Sequence, residues 1–165
     1  MELSKQVNET VSLAILYGWK LIYVERIETQ QIVSINLHIG SRLELYNTAM
    51  GQVVAAGQSE DLASQYFKYL RQLPQAKSYC TNKGKKLLRI LELVRKRDYA
   101  IKNEELVLGL RSVASPVRNR ENQVVGAINI AMSSSLYSLQ KLRQELISPL
   151  KKTTKSISAA LGLEI

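Results

Sequence analysis

The sequence predicts an α+β domain: an antiparallel sheet with helices on its faces. Three observations lead there. Stretches rich in β-formers come in neighbouring pairs joined by turn residues, helical stretches fall between or after those pairs, and neither a repeating β-α-β period nor an internal repeat is present. With 165 residues, 45% of them hydrophobic and 22% charged, the chain has the length and mixture for one globular domain with a proper core.

Leu3 to Glu9 is polar and reads as the tail of a helix. Val11, Leu13, Ile15 and Tyr17 alternate with Ser12, Ala14 and Leu16, Gly18-Trp19-Lys20 offers a turn, and Leu21 to Ile27 resumes the β pattern, so a hairpin is predicted. Ile32, Val33, Ile35, Leu37 and Ile39 suggest a third strand ended by Gly40-Ser41, followed by a short extended piece over residues 43–46. From Thr48 the period changes. Ala49, Gly51, Val53, Val54, Ala55 and Ala56 suit a helix lying very close to a sheet, with Thr48 as its N-cap. Ser59-Glu60-Asp61 opens another helix to about Leu73, which Pro74 ends. Thr81 or Asn82 caps a third, whose Leu87, Leu88, Leu91 and Val94 form one stripe and which Asp98-Tyr99 closes. After a short loop, Ser112 to Arg118 and Gln123 to Ala131 flank Asn119-Arg120-Glu121-Asn122 as a second hairpin. Ser133-Ser134-Ser135 supplies caps for a long last helix carrying Leu139, Leu142, Leu146 and Leu150, which Pro149 should bend or break.

No apolar run approaches the ~18 residues that a membrane span requires, and residues 1–9 are too polar for a secretory leader, so a cytoplasmic chain is expected. A single cysteine, Cys80, and a single histidine, His38, leave no internal disulfide and no zinc cluster to build, and no cofactor is implied. The formal charge of +9 could mark nucleic-acid contact. Its local runs, at Lys83, Lys85 and Lys86, at Arg95 to Arg97, and at Lys151, Lys152 and Lys155, lie in helical stretches without interleaved aromatics and are read as solvated faces.

Four stretches, in order and spanning nearly the whole chain, resemble the effector-binding domain of IclR-type bacterial transcription regulators. They are Tyr23-Val24-Glu25-Arg26-Ile27; His38-Ile39-Gly40-Ser41-Arg42-Leu43 leading into Tyr46-Asn47-Thr48-Ala49-Met50-Gly51; Glu104-Glu105 through Gly109-Leu110-Arg111-Ser112-Val113-Ala114; and Pro116-Val117-Arg118 with residues 124–130. The resemblance implies a GAF-like sheet, residues 1–165 as one effector-binding domain, and a winged helix-turn-helix ahead of it that this chain lacks. It further implies a small-molecule effector, DNA contact only through that other domain, no membrane, and association as a dimer or tetramer. Gly40-Ser41-Arg42, the Thr48 helix start and Asn129 look most like the subgroup that responds to protocatechuate or 4-hydroxybenzoate. Two departures stand out. Asp98 occupies a place where many relatives have glycine, so that helix end is expected to differ. Where relatives that bind glyoxylate-like acids carry an aspartate, this chain has Lys102 or Asn103, and where they carry two serines it has Asn129 and Ala131, which disfavours small keto acids.

The chemistry follows from the helix start. The first turn at Thr48, Ala49 and Met50 presents unpaired N–H groups and a positive dipole end to a carboxylate, and the small Ala49 lets it come close. On the resemblance, Ile35, Leu43 and Leu110 would wall an aromatic ring. Ser112 and Asn129 would hydrogen-bond its polar groups, and Arg42 would be a second carboxylate partner. The hollow is expected to be mostly apolar. A plain capped helix, ordinary core leucines and a solvated Arg42 are the alternatives. Arg111 reads as a structural or interface charge, and the tyrosines and Trp19 as core or interface fillers. Non-catalytic sensing leads; an enzyme acting on the bound acid lacks any triad, metal cluster, phosphate loop or paired acids. A nucleic-acid-binding domain rests on charge alone.

Overall fold

The computed structural model describes residues 2–29, 36–76, 80 and 85–164, with the backbone alone for Lys85 and Lys86. Its elements are α1 (Glu2–Val7), β1 (Thr10–Tyr17), β2 (Lys20–Ile27), β3 (Arg42–Glu44), α2 (Ala49–Ala56), α3 (Glu60–Leu70), a 3-10 turn (Pro74–Ala76), α4 (Lys85–Arg97), β4 (Ala100–Asn103), β5 (Leu110–Arg118), β6 (Val124–Ser133), α5 (Leu139–Glu145) and α6 (Ile147–Ala160). The strands form a six-stranded sheet in the order β3-β2-β1-β6-β5-β4, and every pairing is antiparallel. The α+β class expected from the sequence is the one observed.

Both hairpins form where turn chemistry places them. Gly18 takes φ +60° in the two-residue β1–β2 connection, the backbone that a primed turn demands. Asn122, at φ 60°, closes the β5–β6 turn by donating its N–H to the Asn119 carbonyl at 3.0 Å. The expected third strand does not extend to its predicted end. Residues 30–35 lie outside the described residues, and His38 to Ser41 make a tight turn in which the Ser41 N–H reaches the His38 carbonyl at 2.9 Å. One strand went unread: β4, too short to show alternation, pairs with β5 at the sheet edge.

Hydrophobic residues divide into two cores, one on each face of the sheet. On the first face α2 is buried at all eight positions, as an internal helix must be. It lies over Ala14, Ala100, Ala114 and Ala127, whose side chains are short enough to admit it, and α4 covers its outer side. From α4 come Leu87, Leu91 and Val94, at i, i+4 and i+7; each buried leucine stabilises by about 1.5–3 kcal/mol. Leu88, expected in the same stripe, is 42% exposed because it sits about 100° further round the helix. The second face is covered by α1, α5 and α6, with Leu142, Leu146 and Leu150 fully buried.

Three further expectations are refined. The last helix starts at an N-cap on Ser138, not at the serine run 133–135, where the Ser133 and Ser135 hydroxyls bond to each other instead. It also divides into α5 and α6 at Leu146, because Pro149 lacks the N–H that would bond back to the preceding turn. Asp98 keeps the left-handed helix end expected to change, with φ 62°; its carboxylate accepts from Arg118 Nη2 at 2.8 Å, which compensates for the missing glycine.

Candidate functional site

Residues directly opposite one another on antiparallel strands point to the same face. The register therefore assembles two rows of side chains beneath the first turn of α2. One row runs Lys102, Ser112, Ala131 and Thr10 across β4, β5, β6 and β1. The other runs Ala114, Asn129, Ser12 and Arg26 across β5, β6, β1 and β2. Between these rows and the helix lies a hollow of about 40 Å³, walled on the apolar side by Leu37, Met50, Leu106 and Leu110. At roughly 10–15 Å³ per water centre it has room for about three waters, less than a six-membered ring needs.

Thr48 takes an extended conformation, φ -118° and ψ 152°, and its Oγ1 accepts from the Gly51 N–H at 2.9 Å. The Gln52 N–H bonds to the Thr48 carbonyl at 3.1 Å, so hydrogen bonding within α2 starts there. Helix geometry offers the Ala49 and Met50 amides no acceptor, and both residues line the hollow. The positive end of the helix dipole points the same way. Gly51 holds this turn against the preceding loop: a Cβ there would stand 2.0 Å from the Leu45 carbonyl oxygen, so only glycine fits.

Two buried amide oxygens, Asn47 Oδ1 and Asn129 Oδ1, belong to lining residues and have no hydrogen-bond partner among the described residues. Each such oxygen costs about 1–3 kcal/mol unless a donor arrives. Asn129 as a whole is 8% exposed. Arg26 reaches in from β2 with its side chain 10% exposed; its Nη1 donates to Ser12 Oγ at 3.2 Å and its Nε to Glu28 Oε1 at 2.8 Å. At the opposite end Lys102, with its side chain 4% exposed, holds Glu105 Oε2 at 2.5 Å. Burial pushes the Tyr23 phenol up to about 12, partly offset by Arg26, so it meets the hollow protonated. Backbone amides, Arg26 and hydroxyls thus supply donors for an anion, while the two asparagine oxygens await hydroxyl or amide protons.

Six of the residues singled out from the sequence converge here: Thr48, Ala49, Met50, Leu110, Ser112 and Asn129. Two do not. Leu43 sits on β3, the edge strand beyond β2, and packs into the core opposite Leu21. Arg42, one residue earlier, is exposed and lies over the Tyr17 ring at 5.8 Å, too far along the sheet to meet the carboxylate. Ile35 lies outside the described residues. The hollow is also more polar than expected, because Thr10, Arg26, Asn47, Lys102 and Glu105 were not anticipated. Arg26 stood in the strand motif already noted; Lys102 was hidden because β4 read as loop. Arg111 faces the other side of the sheet, where it ties down the turn after β6 through Asn103 Oδ1 at 2.6 Å and the carbonyls of Ser134 and Tyr137.

Among the described residues no group of His, Cys, Asp and Glu could hold a metal, and no helix is long and apolar enough to cross a membrane. Residues 1–159 match the family model for the bacterial transcriptional regulator IclR C-terminal region. The chain is 30% identical over 161 residues to the HTH-type transcriptional regulator KdgR of Escherichia coli K12, an alignment that takes in 98% of this chain and 60% of that one. A transcriptional regulator from Rhodococcus sp. RHA1 superimposes with a TM-score of 0.88 at 33% identity, covering 98% of this chain and 64% of that one. A double mutant of the inducer-binding domain of PobR from Acinetobacter, solved with 3-hydroxybenzoic acid, shares the fold at TM-score 0.79 and 24% identity, over 95% of this chain and 91% of that one. The chain thus spans about three-fifths of the length of the full-length regulator KdgR. Regulators, not enzymes, are what it resembles, and it belongs to the IclR family as the C-terminal, effector-binding part of such a regulator.

Proposed function

We propose that the chain senses a small hydroxylated organic acid, whose carboxylate sits on the Ala49 and Met50 amides and whose hydroxyl donates to Asn129 Oδ1. The observation that carries this reading is the pairing of a free helix start with two partnerless buried oxygens around one hollow. Within that class the subgroup motifs favour 4-hydroxybenzoate or protocatechuate, with the ring between Leu37, Met50 and Leu110. That a double mutant of the PobR inducer-binding domain holds 3-hydroxybenzoic acid within the same fold is consistent with this choice. Binding would shift how effector domains pair, as a dimer or tetramer, and so the spacing of DNA-reading domains outside this chain.

A second reading, an aliphatic hydroxy acid, is favoured by the polar floor of Thr10, Arg26, Ser112 and Asn129. Calorimetry and thermal melts with 4-hydroxybenzoate, protocatechuate, benzoate and gluconate separate the two. At ligand about a hundredfold above Kd, stabilisation of about 2.7 kcal/mol should raise Tm by about 5–10 °C. The hydroxybenzoates should bind at least about tenfold more tightly than benzoate, since only they fill the asparagine acceptor. Binding of gluconate alone would move the assignment to the second reading. No heat and no shift with any acid at millimolar concentration would remove the sensing role.

A further inference from the structure

A second donor lines the hollow beside the unfilled Asn129 oxygen. Arg26 on β2 stands opposite Ser12 on β1, and Ser12 stands opposite Asn129 on β6, so the three side chains form one continuous row on one face. Ser12 is 1% exposed and the Arg26 side chain 10%. Two of the three guanidinium nitrogens are engaged: Nη1 donates to Ser12 Oγ at 3.2 Å and Nε to Glu28 Oε1 at 2.8 Å. A planar guanidinium held at two nitrogens has its third fixed as well, and Nη2 makes no hydrogen bond among the described residues. Opposite side chains on paired strands lie about 4.5–5.5 Å apart at Cβ, which puts a guanidinium resting on Ser12 about 5 Å from the Asn129 amide. A single hydroxyl spans a gap of that size, accepting through its oxygen on one side and donating its proton on the other.

We infer that Arg26 is a specificity-determining residue of this site: its Nη2 donates to the oxygen of the same effector hydroxyl whose proton goes to Asn129 Oδ1. The inference rests on the sensing role proposed above and supplies the other half of its hydroxyl recognition. Arginine can only donate and the Asn129 oxygen can only accept, so the two together fit a group that does both. A hydroxyl does both. An amino group on an aromatic ring donates well but accepts poorly, because its lone pair is shared with the ring, and a bare ring carbon does neither. The carboxylate is drawn elsewhere: Glu28 already stands against the guanidinium, whereas α2 lies mainly over β5 and β6 and has no acidic residue in its first turn.

Calorimetry on wild type, Arg26→Met, Arg26→Lys and Asn129→Leu with 4-hydroxybenzoate, 4-aminobenzoate and benzoate tests this. Arg26→Met should weaken 4-hydroxybenzoate by about 10- to 100-fold, the scale of one charged hydrogen bond, and leave the other two acids within about threefold. Arg26→Lys keeps a cation for Ser12 and Glu28 but has no third nitrogen, so the same selective loss is expected, and it carries the test if Arg26→Met does not fold. Asn129→Leu should weaken 4-hydroxybenzoate and 4-aminobenzoate alike, since both donate to that oxygen. Equal loss of all three acids in Arg26→Met would put the carboxylate on the guanidinium and overturn the inference. Wild-type affinity of Arg26→Lys for 4-hydroxybenzoate would overturn it too, because charge alone would then suffice. Either result leaves the sensing role standing. If gluconate alone binds wild type, gluconate and hexanoate take the places of 4-hydroxybenzoate and benzoate under the same criteria. Failure of both hydroxy acids to bind wild type removes the sensing role and this inference together. A melt of each variant monitors folding; Glu28, with its side chain 62% exposed, is served by solvent once Arg26 is gone.

Discussion

Replacing Gly51 by alanine sets two effects of known size against each other. Within a helix, alanine is favoured over glycine by about 1 kcal/mol, so propensity alone makes Gly51→Ala stabilising. Yet the added Cβ would stand 2.0 Å from the Leu45 carbonyl oxygen and 2.4 Å from its Cα, and both are backbone atoms that no rotamer change can move. Overpacking costs about 1–3 kcal/mol where neighbours can adjust, and a backbone partner puts this site at the upper end. The net is a loss of about 2 kcal/mol, which for a domain of this size lowers Tm by about 4–8 °C. A circular-dichroism melt reads it directly, with urea unfolding as the check on m. Because relief requires the first turn of α2 to move away from Leu45, acid binding should fall with stability. A Tm equal to or above wild type would refute the close-approach reasoning and, with it, the positioning of the candidate site by Gly51.

Three other outcomes are expected. Thr48→Ala removes the side-chain oxygen that accepts from the Gly51 N–H and should cost about 1 kcal/mol in urea unfolding; an unchanged midpoint would mean that the cap contributes nothing. Asn129→Leu eliminates a buried oxygen without a partner and should raise the Tm of the free protein, while 4-hydroxybenzoate loses its advantage over benzoate by calorimetry. Burial pushes the Glu9 carboxyl above its ordinary 4.5, with Lys141 pulling part of the way back. Since the folded value exceeds the unfolded one, the stability linked to its protonated form is full below about pH 4.5 and is lost as the pH climbs through the raised value. Glu9→Gln should therefore match wild type in acid and exceed its Tm at neutral pH, and a variant less stable at every pH would contradict the desolvation account.

What could be read from the sequence followed the range of the signals. Hairpin turns, the Thr48 cap and the small-residue pattern of α2 are local, and they sit where periodicity and turn chemistry put them. Leu110, Ser112 and Asn129 were reachable because their motifs lie on long strands. Arg42 and Leu43 were misplaced because only strand order reveals that β3 is an outer edge, and strand order is not encoded in any one segment. Lys102 and Thr10 were missed for the complementary reason. They enter the hollow through the register across β4, β5, β6 and β1, and a four-residue strand has too few positions to show its period. Polarity followed the same logic: nothing in the segments around Thr10 and Lys102 signals burial, and both are buried once the strands pair.

Amide resonances of a 15N-labelled chain titrated with 4-hydroxybenzoate offer the most direct check on where an acid sits. The Ala49 and Met50 N–H signals should move furthest and downfield, as amides do on accepting a carboxylate, with the Asn129 side-chain amide shifting alongside. Saturable shifts confined to another part of the chain, with residues 48–50 unmoved, would contradict the placement of the effector at the start of α2.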